Sequence, residues 1–244
     1  MHNTPHKSEK EAIKVLKKIL NKIIRPQKTE IKLYKNNLYS ILWEKAALDS
    51  SKYVEKYLNE VLVFENIMQI WDYTIQSISK TSAGVYLEFG VFKGNSINYF
   101  SNALPKYMFY GFDSFEGLAE DWKGHYLTKG DFNVDGKVPI VNPNVTLIKG
   151  WFNETLPKFI LEQLHNDKLC CIHIDCDTYE ATKIVLNELQ NHIKPGLLIL
   201  FDEYFGYPNW SNGEYLAWQE FCRENNIKYC YKGFCTHQAL IEVT

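Results

Sequence analysis

The sequence predicts an α/β fold built on a mostly parallel sheet, on three observations. Short apolar runs alternate with helical patterns from about Gly84 onward. Four of the first five of these runs lead directly into glycine or an acid, the third reaches Gly150 after Lys149, and the chain closes on two runs joined across Gly233. Strands that alternate with helices bury both faces of a parallel sheet. Two final strands with a short link form an antiparallel hairpin at one edge.

The strands are expected at Val85–Phe89, Tyr107–Phe112, Val145–Ile148, Leu169–Ile174, Leu197–Phe201, Lys228–Tyr231 and Gln238–Val243, which makes a seven-stranded sheet. Helical patterns fall at Asn95–Leu104, Glu154–Leu164, Tyr179–His192 and Glu214–Asn225. Residues 1–82 read as a separate N-terminal helical region, and residues 83–244 as the α/β domain. Ser8 and Glu11 have the spacing of a capping box. Ile13, Leu16, Leu20 and Ile23 follow at helical spacing and Pro26 stops the run. Lysines 14, 17, 18 and 22 share that helix. Its apolar stripe is expected to pack on its own domain or on a second subunit, which makes a homo-oligomer the expected state. Peripheral contact with an anionic membrane surface is the alternative. Tyr53–Ile78 reads as one or two further helices, with Val61, Val63, Phe64, Ile67, Ile70 and Trp71 as core candidates.

Composition narrows the function classes. The 244 residues are 45% hydrophobic and 23% charged, with a formal net charge of -2. That balance lacks the basic excess of a nucleic-acid binder. No apolar run is long enough to span a bilayer, and the polar start Met1-His-Asn-Thr-Pro5 lacks the apolar core of a signal peptide. The six cysteines form no CxxC pair, so neither a zinc site nor a redox motif is indicated, and a reducing cytoplasmic setting is expected.

In a parallel sheet the ligand sits at the carboxyl ends of the strands, so the residues just past each run carry the chemistry. The first run ends in Glu88-Phe-Gly90-Val-Phe-Lys-Gly94-Asn-Ser96. The glycines permit a tight turn, and the next helix points its N-terminus at the site. The spacing is not GxGxxG, and an acid this close would repel a pyrophosphate. It suits a ligand with an ammonium group and no phosphate, such as S-adenosylmethionine. Asp113, followed by Ser114, ends the second run and stands where an acid accepts hydrogen bonds from ribose hydroxyls. Trp151 or Phe152, after Gly150, are candidate walls for an adenine.

Asp175 and Asp177 follow the fourth run, and Asp202 and Glu203 the fifth. Four acids at neighbouring strand ends call for a divalent cation with oxygen ligands, because crowded like charges repel. Asp175 and Asp202 are the leading ligands. Asp177 is either a ligand or the cap of the following helix. His173 alternates with Ile172 and Ile174 and reads as a structural, hydrogen-bonded histidine. Residues 119–143, with Trp122, His125, Tyr126 and Phe132, form a candidate lid.

Four segments together resemble the class I methyltransferases of the macrocin O-methyltransferase (TylF-like) family. They are Glu88–Ser96, Tyr110-Gly-Phe-Asp-Ser-Phe-Glu-Gly-Leu118, Lys149-Gly-Trp-Phe-Asn-Glu-Thr-Leu-Pro157 and His173-Ile-Asp-Cys-Asp-Thr-Tyr-Glu-Ala-Thr182. The resemblance runs from about Val85 to the C-terminus. It implies a Rossmann-like fold and binding of S-adenosyl-L-methionine through Glu88, Gly90, Gly94, Ser96, Asp113 and Ser114. It also implies Mg2+ held by Asp175, Asp202 and Glu203. The family often carries Asp-Asp where this chain has Asp202-Glu203, and the longer side chain places its oxygens differently. The implied acceptor is a hydroxyl of a sugar or a glycosylated small molecule.

The expected chemistry is O-methylation. Asp175 is the candidate general base as well as a metal ligand, since a neutral sugar hydroxyl is a poor nucleophile. Two other classes share such a sheet. An NAD-dependent oxidoreductase is disfavoured by the loop spacing and by the lack of a Tyr-Lys arrangement. A non-catalytic scaffold has no use for four acids at one place.

Overall fold

A computed structural model describes residues 37–80, 84–164 and 168–244. The expected helix from Ser8 to Pro26 lies outside the described residues. The chain divides into two units, Met1–Lys45 and Ala46–Thr244. In the first, Leu38–Lys45 are helical. The sheet belongs to the second.

The elements are α1 Leu38–Glu55, β1 Leu62–Phe64, α2 Ile67–Ile78, β2 Val85–Phe89, α3 Asn95–Ala103, β3 Met108–Asp113 and β4 Val145–Lys149. Then come α4 Phe152–Phe159 with a π-helical turn at Ile160–Leu164, β5 Leu169–Ile174, α5 Tyr179–Glu188 and β6 Leu198–Phe201. The chain ends with α6 Glu214–Asn225, β7 Tyr229–Cys235 and β8 Gln238–Val243. The sheet has eight strands in the order β1-β7-β8-β6-β5-β2-β3-β4. Pairings are parallel except those of β8 with β6 and β7. The order reverses at β2, between β3 and β5, where a parallel sheet opens a crevice for ligand.

Each expected strand is present, and one more was not foreseen. Leu62–Phe64, read as helical, pairs with Gly233–Cys235 as a parallel edge strand. This sheet edge leaves Leu62 and Val63 exposed, so Val63 is no core residue. Ile67 is exposed as well, while Ile70 is fully buried. Asn66 caps α2, its side chain accepting from the Gln69 N–H, and so separates strand from helix. The sheet thus draws a strand from before residue 82.

Two apolar clusters cover the two sheet faces. Phe89, Phe112, Ile174, Phe201 and Trp218 belong to the cluster under α4, α5 and α6. Tyr86, Phe109, Leu200, Ile97 and Phe100 belong to the other, under α2 and α3. Side chains alternate across a strand, so neighbours such as Tyr86 and Leu87 serve opposite faces. All six cysteines are free thiols. No helix among the described residues is long and apolar enough to cross a membrane.

The segment Ala46–Glu55 of α1 braces the loop after β6. The buried Ser50 hydroxyl accepts from the Gly206 N–H at 2.8 Å and donates to the Ala46 carbonyl at 2.8 Å. Tyr53 and Tyr231 join their hydroxyls at 2.5 Å. Ser50→Ala strands a buried N–H, so urea denaturation is expected to show a loss of about 1–3 kcal/mol. Unchanged stability would show that the Gly206 amide has another acceptor.

Candidate active site

The carboxyl ends of the central strands are spliced to one another by backbone bonds beyond the ladders. Gly90 N–H donates to Phe112 O at 3.0 Å, Asp175 N–H to Phe89 O at 2.9 Å and Asp202 N–H to Ile174 O at 2.9 Å. Past these bonds the chains diverge around a cavity of about 570 Å³. Gly90 has φ +94°, and a Cβ there would lie 1.7 Å from the Asp175 carbonyl oxygen. Only glycine fits that close approach of two strand ends.

Asp113 organises the turn after β2. One carboxylate oxygen accepts from the Val91 and Phe92 N–H groups at 2.8 and 2.7 Å, and the other from the Phe115 N–H at 2.7 Å. Those bonds hold the Gly90–Phe92 turn, with Phe92 at φ 49°, against the end of β3. Asp113 and Ser114 line the cavity, as do Gly90 and Trp151. Trp151 is the N-cap residue of α4, placed there by Gly150 at φ 141°.

Three residues expected at the ligand are elsewhere. Glu88 is fully buried, and its carboxylate accepts from Ser96 Oγ at 2.7 Å and pairs with His173 Nδ1 at 3.1 Å. Neither Glu88, Gly94 nor Ser96 lines the cavity. The reason is strand alternation: Glu88 faces the side covered by α3, opposite its neighbour Phe89. His173 sits in register with Glu88 on β5. Its other nitrogen lies 3.5 Å from Asp202 Oδ1, and Asp202 also accepts from the Gln238 amide. A buried polar chain therefore runs from Ser96 through Glu88 and His173 to Asp202. Burial opposes the His173 imidazolium, yet the flanking Asp202 and Glu88 push its pKa well above the usual range. Burial also opposes the Asp202 carboxylate, but the His173 hydrogen bond and charge hold its pKa down.

The acids form two overlapping groups around Asp175. His173, Asp175 and Asp202 offer ligand atoms within 4.8 Å of one another, and so do Asp175, Asp177 and Glu203. The expected trio of Asp175, Asp202 and Glu203 is thus divided between the groups. Asp175 and Glu203 line the cavity, whereas Asp202 turns toward His173 and Gln238. Asp177 does not cap α5. Thr178 does, accepting from the Ala181 N–H, while Asp177 sits at φ 67° and lines the cavity.

Burial pushes the Asp175 carboxyl well above its ordinary range, with Asp202 adding repulsion. Burial and then Asp202 push Asp177 up to about 8, and the same two causes raise Glu203. Glu203 Oε2 is buried without a hydrogen-bond partner. A fifth acid, Glu214 at the start of α6, is fully buried and accepts from the Glu203 N–H at 3.2 Å. It escaped sequence reasoning, because a glutamate in a first helical turn is ordinary. An oxygen-rich set with an orphaned buried oxygen fits a hard divalent cation.

The lid candidate is braced rather than loose. Leu118 N–H donates to Asp131 O and Gly130 N–H to Leu118 O, each at 2.9 Å, and Gly136 N–H reaches Phe115 O at 2.9 Å. Trp122 and Phe132 line the cavity. His125 stacks on Trp122 with ring centroids 4.7 Å apart, and Tyr126 adjoins His125.

Residues 87–204 match the family model described as a methyltransferase domain. The calicheamicin methyltransferase CalS11 is similar in structure, with 20% identity and a TM-score of 0.59, over 99% of this chain and 94% of that one. Its apo form, a TDP-rhamnose 3'-O-methyltransferase, gives 20% identity and a TM-score of 0.52, over 99% and 96%. The O-methyltransferase NovP gives 18% identity and a TM-score of 0.55, over 71% and 79%. No curated protein matches the chain. The cavity at the sheet's switch point therefore lies within the stretch that matches a methyltransferase-domain model, and the chain shares the Rossmann-like fold of these methyltransferases.

Proposed function

We propose that this chain is an S-adenosylmethionine-dependent O-methyltransferase, assisted by Mg2+, acting on a hydroxyl of a sugar or glycosylated small molecule. The carrying observation is one cavity lined both by the Asp113-held turn and by the acids Asp175, Asp177 and Glu203. A donor site and an acceptor-activating site thus share a wall. The O-methyltransferases among similar folds support the reading.

S-adenosylmethionine, when bound, supplies a methyl group already activated on a sulfonium. Gly90 and Asp113 would hold its ribose side, with Trp151 and Ser114 as further contacts. Asp113 is anchored by three backbone N–H groups and keeps lone pairs for hydroxyl donors. A divalent cation, when bound, supplies Lewis acidity that lowers the pKa of a hydroxyl. Asp175, Asp177 and Glu203 would hold it, with Asp202 close behind Asp175. Asp175 would take the proton of the acceptor hydroxyl as that oxygen gains the methyl group and the methyl carbon–sulfur bond breaks, leaving S-adenosylhomocysteine. Trp122, Phe132 and Phe92 exclude water from the line of transfer.

Calorimetry with S-adenosylhomocysteine and with NADH tests the donor directly. Only the former is expected to bind, and Asp113→Ala should weaken it about tenfold or more, because the turn loses its acceptor and the ribose loses its own. Binding of NADH alone would favour an oxidoreductase. Methyl transfer, followed with tritiated donor on a panel of glycosides, should stop in excess EDTA and return with Mg2+. Full activity in EDTA would leave the acids some other task, such as binding the acceptor directly.

A further inference from the structure

Glu88 and His173 stand in register on β2 and β5, and both are fully buried. The Glu88 carboxylate has both oxygens committed. Oε1 accepts from Ser96 Oγ at 2.7 Å, and Oε2 faces His173 Nδ1 at 3.1 Å. Two aromatic rings confine the imidazole from the helices above. Trp71 of α2 meets it at 76° with ring centroids 6.4 Å apart, and Phe100 of α3 lies at 5.9 Å. Packing and the Glu88 bond together set the ring's orientation, in which Nε2 lies 3.5 Å from Asp202 Oδ1.

The strand register explains that meeting. Leu200 is the partner of His173 on β6, and Asp202 follows it by two residues. Side chains two apart leave a strand on the same face, so Asp202 turns toward His173. The Gln238 amide donates to the same Oδ1. Oδ1 is thus engaged from two sides, which leaves Oδ2 to serve the acid centre. The ligand atoms that Asp202 and Asp175 offer lie within 4.8 Å of each other.

Stability alone does not account for this arrangement. A buried line of ionisable groups contributes little more to folding than well-packed apolar residues of the same volume. What the line does provide is direction. An imidazole held by one carboxylate and aimed at another fixes the second one's angle, and such outer supports set the affinity of a metal centre.

We propose that Glu88 and His173 are positioning residues, which hold the Asp202 carboxylate at the angle in which it completes the cation centre beside Asp175. This rests on the Mg2+-assisted reading above. It gives Glu88 a task at the cation in place of the donor contact that the sequence suggests.

The test measures Mn2+ binding to the full chain by electron paramagnetic resonance, with Mn2+ standing in for Mg2+ as a cation of similar oxygen preference. His173→Asn places an amide nitrogen near the position of Nδ1, within reach of Glu88, and removes the donor to Asp202. His173→Gln places its amide nitrogen near the position of Nε2 and keeps that donor. The Kd for Mn2+ should rise about tenfold or more in His173→Asn and only about two- to threefold in His173→Gln. Glu88→Gln tests the line from the far side of the ring, with a loss of about threefold or more. Affinity for S-adenosylhomocysteine, measured by calorimetry without metal, should match the parent's in all three. A Kd for Mn2+ unchanged in His173→Asn or in Glu88→Gln would overturn the proposal. So would equal losses in His173→Asn and His173→Gln, or a matching loss of S-adenosylhomocysteine, since either marks a general loosening. Coupling of Mn2+ to a directly bound imidazole nitrogen, lost in His173→Asn, would also overturn it by making His173 a ligand. A parent chain that binds S-adenosylhomocysteine but no Mn2+ would overturn the cation reading, and this inference with it.

Discussion

Five carboxylates, those of Asp175, Asp177, Asp202, Glu203 and Glu214, crowd the ends of β5 and β6. Their mutual repulsion in a buried place is the constraint that the surrounding structure serves. Burial first, and then repulsion from the neighbouring acids, raises the pKa values of Asp175, Asp177, Glu203 and Glu214, so without a cation proton uptake relieves the charge there. Asp202 alone stays low, because His173 faces it. A fold that keeps such a cluster maintains it against its own stability, and a bound cation with oxygen ligands would reverse that penalty.

The supports of the cluster reach across the molecule. His173 is itself held by Glu88, and Glu88 by Ser96 on α3, so one polar line links the helix after the glycine turn to the acids. Glu214 fixes the Glu203 backbone from α6. Ser50 on α1 fixes the same loop farther along, at Gly206. Donor turn and acid centre meet where the sheet reverses its order, and the backbone contact of Gly90 with Asp175 leaves no room for a side chain between them.

Much of this was legible in the residues. The strands from β2 to β6 are apolar runs that end at or beside a glycine or an acid, and both faces of the inner ones are buried, so the pattern is unambiguous. β1 was not legible, because three residues between two helices at a sheet edge carry no periodic signal. Asp113, Asp175 and Glu203 line the cavity, as their positions at or just past strand ends suggest. Glu88 was misplaced for a reason that strand alternation contains: it sits inside the run, one residue before the end, and His173 on β5 occupies the matching polar position. Two polar residues within otherwise apolar neighbouring runs signal a buried pair rather than a ligand contact. Asp177 stayed ambiguous until Thr178 took the cap. Glu214 comes to Glu203 only through the fold, across a loop of ten residues, and no local pattern marks it.

Calorimetric melting with and without Mg2+ puts the central claim, a cation centre at Asp175, to the test. A ligand that binds only the folded state raises the melting temperature, by roughly 2–4 °C for each kcal/mol in a chain of this size. A rise of several degrees is expected for the parent chain, shrinking to nothing in Asp175→Asn/Glu203→Gln. That double variant should also melt above the Mg2+-free parent, because two buried carboxyls that must either carry charge or take up protons become neutral amides. Equal melting temperatures with and without Mg2+, in a parent that binds S-adenosylhomocysteine, would contradict a cation centre.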